Sequence, residues 1–217
     1  MDFKAARRRM VDSQVRTNDV TDLRLQTALE TIPRENFLPA GLRDQAYVER
    51  ELAYAPGRAM MTVRDFAKLV DAADPAAGDL CLAVAAGTGY STAVLARLVD
   101  MVVAVEGDEA LAAAAQENLT RLGVSNAAVL NTDNAKGAAD QGPYDLIFID
   151  GVIEKRPEAL LAQLKDGGRL AAIQRKNDVS RGVIYWRSGD AFGCKEKFDA
   201  SVKIVLPGFA AEKTFVF

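Results

Sequence analysis

The stretch DLCLAVAAGTGYSTAVLAR, Asp79 to Arg97, carries three signals in order. LCLAVA is an apolar run of strand length. AAGTG then supplies two glycines for a tight turn, and STAVLARLV spaces its apolar residues as a helix does, opened by Ser91. A strand, a glycine turn and a helix predict the first βα unit of a parallel sheet.

The same alternation continues downstream. MVVAVE reads as a second strand, and EALAAAAQENLTRLG as a helix with Gly123 at its C-terminal stop. AAVLN and YDLIFIDG follow as strands. PEALLAQLKDGG reads as a helix with Pro157 near its start, and RLAAI as the fifth strand. GVIYWRS and SVKIVLP–TFVF are expected as later strands joined by a hairpin-like connection. Short apolar strands separated by helices imply a mainly parallel sheet covered on both faces.

Upstream, residues 2 to 31 read as helical in two pieces, broken at Asn18 and Asp19. Thr21 is placed to cap the second piece and Pro33 to stop it. PRENFLPAGLRDQAYVERELAYAPG mixes Pro, Gly and charge with aromatics, as an ordered loop region does, and a helix is expected around Arg64 to Ala72. The chain divides into an N-terminal helical segment, 1–75, and an α/β core, 76–217, packed as one unit.

In 217 residues, hydrophobic types make up 49% and charged types 26%, so one unit can build a sizeable core. The formal charge of −3 gives no electrostatic reason to expect nucleic acid. The run Arg7-Arg8-Arg9 reads as a solvated helix face. With no histidine there is no Ser–His triad and no zinc site of the usual Cys/His type, and no metal is expected. Cys81 lies inside an apolar run and reads as a buried thiol rather than a nucleophile. Low cysteine usage and the absence of an apolar leader or spanning run suggest a cytoplasmic protein without membrane association.

In an open parallel sheet, ligands bind beyond the carboxyl ends of the strands. Four segments end there: Ala85-Ala86-Gly87-Thr88-Gly89-Tyr90, then Glu106, then Thr132-Asp133-Asn134, then Asp150. Gly87 and Gly89 allow close backbone approach. Glu106 lies 19 residues past Gly87, the spacing of a carboxylate that chelates a ribose diol. Asp133 is placed to accept from an exocyclic amine such as that of adenine. Each signal is common alone; their recurrence at four strand ends points to a nucleoside-containing ligand. Thr92 stands where a dinucleotide fold prefers its third glycine, and no phosphate-binding Lys or Arg follows. This favours S-adenosyl-L-methionine, which carries no phosphate, over a nicotinamide dinucleotide.

With these strand ends in place, RMVDSQVRTNDVTDLRLQTALETIPRENFLP, AYVERELAY, ENLTRLGVSNAAV and PEALLAQLKDGGRL make the chain resemble the protein-L-isoaspartate O-methyltransferase family over nearly its whole length. The resemblance implies a Rossmann-like methyltransferase core with a seven-stranded sheet. It also implies methyl transfer to the α-carboxylate of isoaspartyl residues in damaged proteins or peptides. On that basis Ala85, Gly87, Thr88, Gly89, Tyr90, Glu106, Asp133, Asn134 and Asp150 are the expected cofactor-binding residues. A sulfonium is an activated donor and a carboxylate is ionised at neutral pH, so the reaction needs alignment and exclusion of water rather than a base.

Two departures stand out. The family pattern implies an acid before the first glycine, where this chain has Ala83 and Ala85. One lost charge-assisted hydrogen bond costs about 1.5–3 kcal/mol, roughly 10- to 150-fold in affinity. The family also carries Gly followed by Thr-Ile-Ser, whose hydroxyls border the methyl-transfer site, where this chain reads GRAMMT. Ala59 and Met61 replace the hydroxyl residues. Thr62, displaced by one position, is the remaining catalytic candidate, with Arg58 and Arg64 nearby to attract a carboxylate. Met60-Met61 also reads as core packing. Two alternatives stay open: a non-catalytic family member serving as a binding module, and a methyltransferase with another acceptor.

Overall fold

A computed structural model describes residues 2–212. Helix α1 (Phe3–Met10) is capped by Asp2, whose carboxylate accepts from Ala5 N at 3.0 Å. It runs into a π-helical turn at Val11–Val15 and a 3-10 turn at Arg16–Asn18, ended by Asp19 at φ 63°. Helix α2 (Leu23–Thr31) is capped by Asp22, not Thr21: the Asp22 carboxylate accepts from Arg24 N at 2.7 Å. A charged oxygen suits the positive helix N-terminus better than a hydroxyl. The proline-rich region forms two 3-10 turns, Arg34–Phe37 and Ala40–Gln45. It then enters a small antiparallel hairpin of β1 (Leu52–Ala55) and β2 (Arg58–Met60). Helix α3 (Val63–Ala73) follows, with Thr62 as its cap.

The core then builds β3 (Leu80–Val84), α4 (Tyr90–Leu95), β4 (Met101–Glu106), α5 (Glu109–Arg121) and β5 (Ala127–Asn131). After these come β6 (Tyr144–Ile153), α6 (Glu158–Leu161), β7 (Leu164–Lys176), β8 (Val179–Ser188) and β9 (Ala191–Ala200). One sheet has the order β5-β4-β3-β6-β7-β8-β9. Its first five strands are parallel, and β8 and β9 return antiparallel. This is the seven-stranded, mainly parallel sheet of the Rossmann-like methyltransferase fold.

Alternate residues of each central strand feed separate apolar layers. Cys81, Ala83, Leu146 and Phe148 join Met10, Leu29, Phe66 and Val70 on one face. Leu82, Val84, Ile147 and Ile149 join Leu160, Leu164 and Phe209 on the other. The N-terminal segment thus shares its core with the sheet. Arg7 leaves the expected solvated face, its guanidinium pairing with Glu35 at 2.7 Å, while Arg8 and Arg9 stay exposed.

Four local expectations are corrected. The helix α4 begins at Tyr90 with Gly89 (φ 96°) as its cap, one residue ahead of Ser91. The helix after Pro157 is a single turn, because Leu164 already pairs with Tyr144 in the sheet. The seventh strand is AFGCKEKFDA, whose exposed, charged face suits an outer edge. SVKIVLP contributes only one bridge, Val205 to Val152, and TFVF lies outside the described residues.

Residues 201–209 instead form a strap across the carboxyl ends of the strands. Asp65 accepts from Ser201 N and Ser201 Oγ, both at 2.7 Å, and Glu51 accepts from Lys203 N and Ile204 N, both at 3.0 Å. Leu206 packs over Gly151, where an added Cβ would lie 2.6 Å from the leucine side chain. Among the described residues no helix is long and apolar enough to cross a membrane.

Candidate active site

The glycine turn leaves β3 at Ala85, which adopts φ 59°. An alanine is strained in that left-handed conformation by roughly 1–2 kcal/mol. Ala86 N donates to Val105 O at 3.1 Å, which ties the turn to the sheet, and Gly89 N donates to Ala86 O at 2.8 Å within the turn. Thr88 Oγ donates to Phe37 O at 2.6 Å, and Asn118 Nδ2 donates to Thr88 O at 2.9 Å. Tyr90 is buried, its ring against Phe37 and Phe66 with the Arg34 guanidinium 4.9 Å from its centre.

Glu106, at the end of β4, is fully buried. Its Oε1 accepts from Arg58 Nη2 at 2.6 Å and Asp108 N at 3.0 Å; its Oε2 accepts from Gly87 N at 2.8 Å and Arg58 Nε at 3.3 Å. The carboxylate is therefore saturated by donors of the chain itself. Arg58 comes from the hairpin, which also brings Tyr54 over the turn. A Cβ at Gly87 would overlap the Tyr54 hydroxyl, so only glycine fits there. Burial, with the charges of Asp150 and Glu106 close by, holds the Tyr54 phenol far above its ordinary pKa.

Beyond Arg58 lies an open cavity of about 540 Å³ lined by Arg58, Gly107, Asp108, Thr132, Asp133 and Asn134, with Pro207 and Gly208 of the strap opposite. Its size falls in the roughly 300–1,000 Å³ range of small-molecule sites. The buried Asn134 has an amide oxygen without a partner among the described residues, a spare acceptor for an exocyclic amine. On the other side of Arg58, a cleft among Arg34, Tyr54, Met60, Met61, Tyr90 and Asp150 holds only about 10 Å³. That is scarcely room for one water. Burial raises Asp150 to about 6, the nearby Glu106 charge adding to the rise, while Ser91, Arg34 and Arg58 oppose it.

The residues expected at the site thus gather at one end of the sheet in two compartments. Asp133 and Asn134 line the open one, and Thr88, Tyr90 and Asp150 the narrow one, with Gly87 and Glu106 at the divide. Thr62 is buried, and its hydroxyl accepts from Asp65 N at 3.1 Å as the cap of α3. Arg64 is engaged by Asp65 at 2.7 Å and by Asn18 at 3.2 Å. Arg34 and Tyr54 escaped the sequence reading: one stands in a 3-10 turn and the other in the short strand β1, and no spacing rule links either to the glycine turn. Among the described residues no cluster of His, Cys, Asp or Glu could hold a metal ion.

Against S-adenosyl-L-methionine these residues fit only in part. The open compartment suits the base. In this arrangement Arg58 occupies the diol carboxylate and the Tyr54 hydroxyl covers the glycine turn at Gly87.

The model of the protein-L-isoaspartate(D-aspartate) O-methyltransferase family matches residues 5–190. A protein-L-isoaspartate O-methyltransferase of Koribacter versatilis is 37% identical over 168 residues, 77% of this chain and 76% of its own. One from Roseiflexus castenholzii is 36% identical over 210 residues, 97% of this chain and 96% of its own. A solved candidate protein-L-isoaspartate O-methyltransferase from Plasmodium falciparum, in complex with S-adenosyl-L-homocysteine, shares the fold at a TM-score of 0.75. It is 16% identical, with 92% of this chain and 97% of that chain covered. With this much of its length matched, the chain belongs to the protein-L-isoaspartate(D-aspartate) O-methyltransferase family.

Proposed function

We propose that this protein is an S-adenosyl-L-methionine-dependent carboxyl methyltransferase acting on isoaspartyl residues of damaged proteins or peptides. The observation that carries the reading is the family match over residues 5–190, which spans every strand end of the candidate site. When bound, the cofactor supplies a methyl group already activated on a sulfonium. The chain's part is binding and alignment. Asp133 and Asn134 receive the base in the open compartment, and the glycine turn from Ala85 to Tyr90 forms the floor. Glu106 waits at the divide. Alignment and exclusion of water then suffice for transfer to an ionised acceptor carboxylate. Thr62, whose hydroxyl caps α3, acts on the acceptor side only through the position of that helix.

The test is methyl ester formation from labelled S-adenosyl-L-methionine on an isoaspartyl peptide, with the matching aspartyl peptide and an enzyme-free control. Ester on the isoaspartyl peptide alone supports the reading; none above the control removes it.

The narrow compartment of about 10 Å³ and the apolar Ala59 and Met61 favour a second reading, a family member that keeps the scaffold as a binding module. Ester formation in the same assay excludes it.

A further inference from the structure

We propose that Arg58 and Tyr54 form a built-in plug in the cofactor site, which the β1–β2 hairpin must withdraw before the cofactor can load. The inference rests on the methyltransferase reading and concerns the regulation of that same site.

Three observations carry it. First, every acceptor direction of Glu106 is satisfied from within: Arg58 presents Nη2 at 2.6 Å to one oxygen and Nε at 3.3 Å to the other, and the amides of Gly87 and Asp108 complete the set. A ribose diol binds such a carboxylate by donating two hydroxyls, so Arg58 stands in the donor positions of the sugar. Second, the Tyr54 hydroxyl rests on Gly87, the point where a ligand would need bare backbone. Two separate compartments lie beside them, one of about 540 Å³ lined by Arg58 and one of about 10 Å³ lined by Tyr54. Third, both plugging residues sit on one element, the β1–β2 hairpin. Among the described residues β1 and β2 pair with each other and form no ladder with the seven-stranded sheet. A lone two-stranded hairpin has little stability of its own, so it is held by what its side chains touch. Arg58 and Tyr54 are among those contacts, beside Leu52 and Met60 in the core. The plug therefore helps to seat the hairpin, and the cofactor competes with it for the same partners.

Calorimetric titration of the full chain with S-adenosyl-L-homocysteine tests this, on wild type, Arg58→Gln and Tyr54→Phe. Glutamine keeps a donor for Glu106 but gives up the charge and the fork. Arg58→Gln is expected to bind roughly 10- to 100-fold more tightly than wild type, the range of one exchanged charge-assisted hydrogen bond. Tyr54→Phe, which loses only the hydroxyl on Gly87, is expected to bind several-fold more tightly. It decides the matter if Arg58→Gln does not fold. Melting provides a second readout: Arg58→Gln should melt below wild type without ligand and gain more on adding it. Equal, tight binding by all three proteins overturns the plug and leaves the methyltransferase reading standing. Weaker binding by Arg58→Gln also overturns it, because Arg58 would then be helping to hold the ligand. No binding by any of them at millimolar ligand removes both.

Discussion

Arg58 and Glu106, 48 residues apart in sequence, meet in a buried ion pair at 2.6 Å, with 7% and 0% of their side chains exposed. The pair joins the hairpin to the end of β4. Removing one partner leaves the other as an uncompensated buried charge, which costs about 3–5 kcal/mol. Glu106→Ala is therefore expected to destabilise the fold by that amount in urea or guanidinium unfolding. It should also abolish any nucleoside binding, because the sugar loses its acceptor. A loss below about 1 kcal/mol would show that the pair is solvated and weak.

Ala85 carries the opposite prediction. Its φ of 59° is a conformation in which glycine is free of strain. Ala85→Gly relieves roughly 1–2 kcal/mol of strain and loses about 0.8 kcal/mol of buried methyl. The net expectation is a gain of up to about 1 kcal/mol, a rise in Tm of about 2–4 °C for a chain of this size. A lower Tm would show that the methyl packs better than the backbone is strained.

Asp65 holds the strap through Ser201 N, Ser201 Oγ and Val202 N, at 2.7, 2.7 and 3.2 Å. Hydrogen bonds to a charged group contribute about 1.5–3 kcal/mol each when broken singly, and shared ones add less than their sum. Asp65→Ala should cost about 3 kcal/mol and raise amide hydrogen exchange in residues 201–209 first. Uniform exchange across the sheet, with the strap unchanged, would contradict this anchoring role.

Asp150 gives a pH signature. Burial raises it to about 6 from an ordinary 3.8, so the native state holds this proton more tightly than the unfolded chain. Stability therefore falls as pH rises from about 4 to about 6, and the loss is complete above the folded value. Asp145 and Asp22, whose partners lower them, act the other way and lose their contribution as pH falls below about 4. Subtracting the denaturant midpoints of Asp150→Asn from those of wild type isolates the Asp150 slope. Parallel profiles would show that Asp150 titrates normally.

The order of the core was legible because β3, β4, β6 and β7 are largely buried and their apolar runs contrast with the helices between them. β9 was not, since AFGCKEKFDA presents charge to solvent on an outer edge, where burial imposes no pattern. The strand-end residues were readable for the same reason as the strands: the topology delivers each to one end of the sheet. What closes the site was not, because Tyr54 and Arg58 arrive from a hairpin whose position is fixed by tertiary contact rather than by local sequence. The cap at Asp22 shows the finer limit, since adjacent Thr21 and Asp22 both satisfy the composition rule and only backbone geometry chooses between them.

At the hairpin tip, Gly57 nestles so closely under Pro207 that a Cβ there would come within 2.7 Å of the proline ring. Tip and strap thus meet at the rim of the open cavity, and any side chain at position 57 would have to push one away from the other.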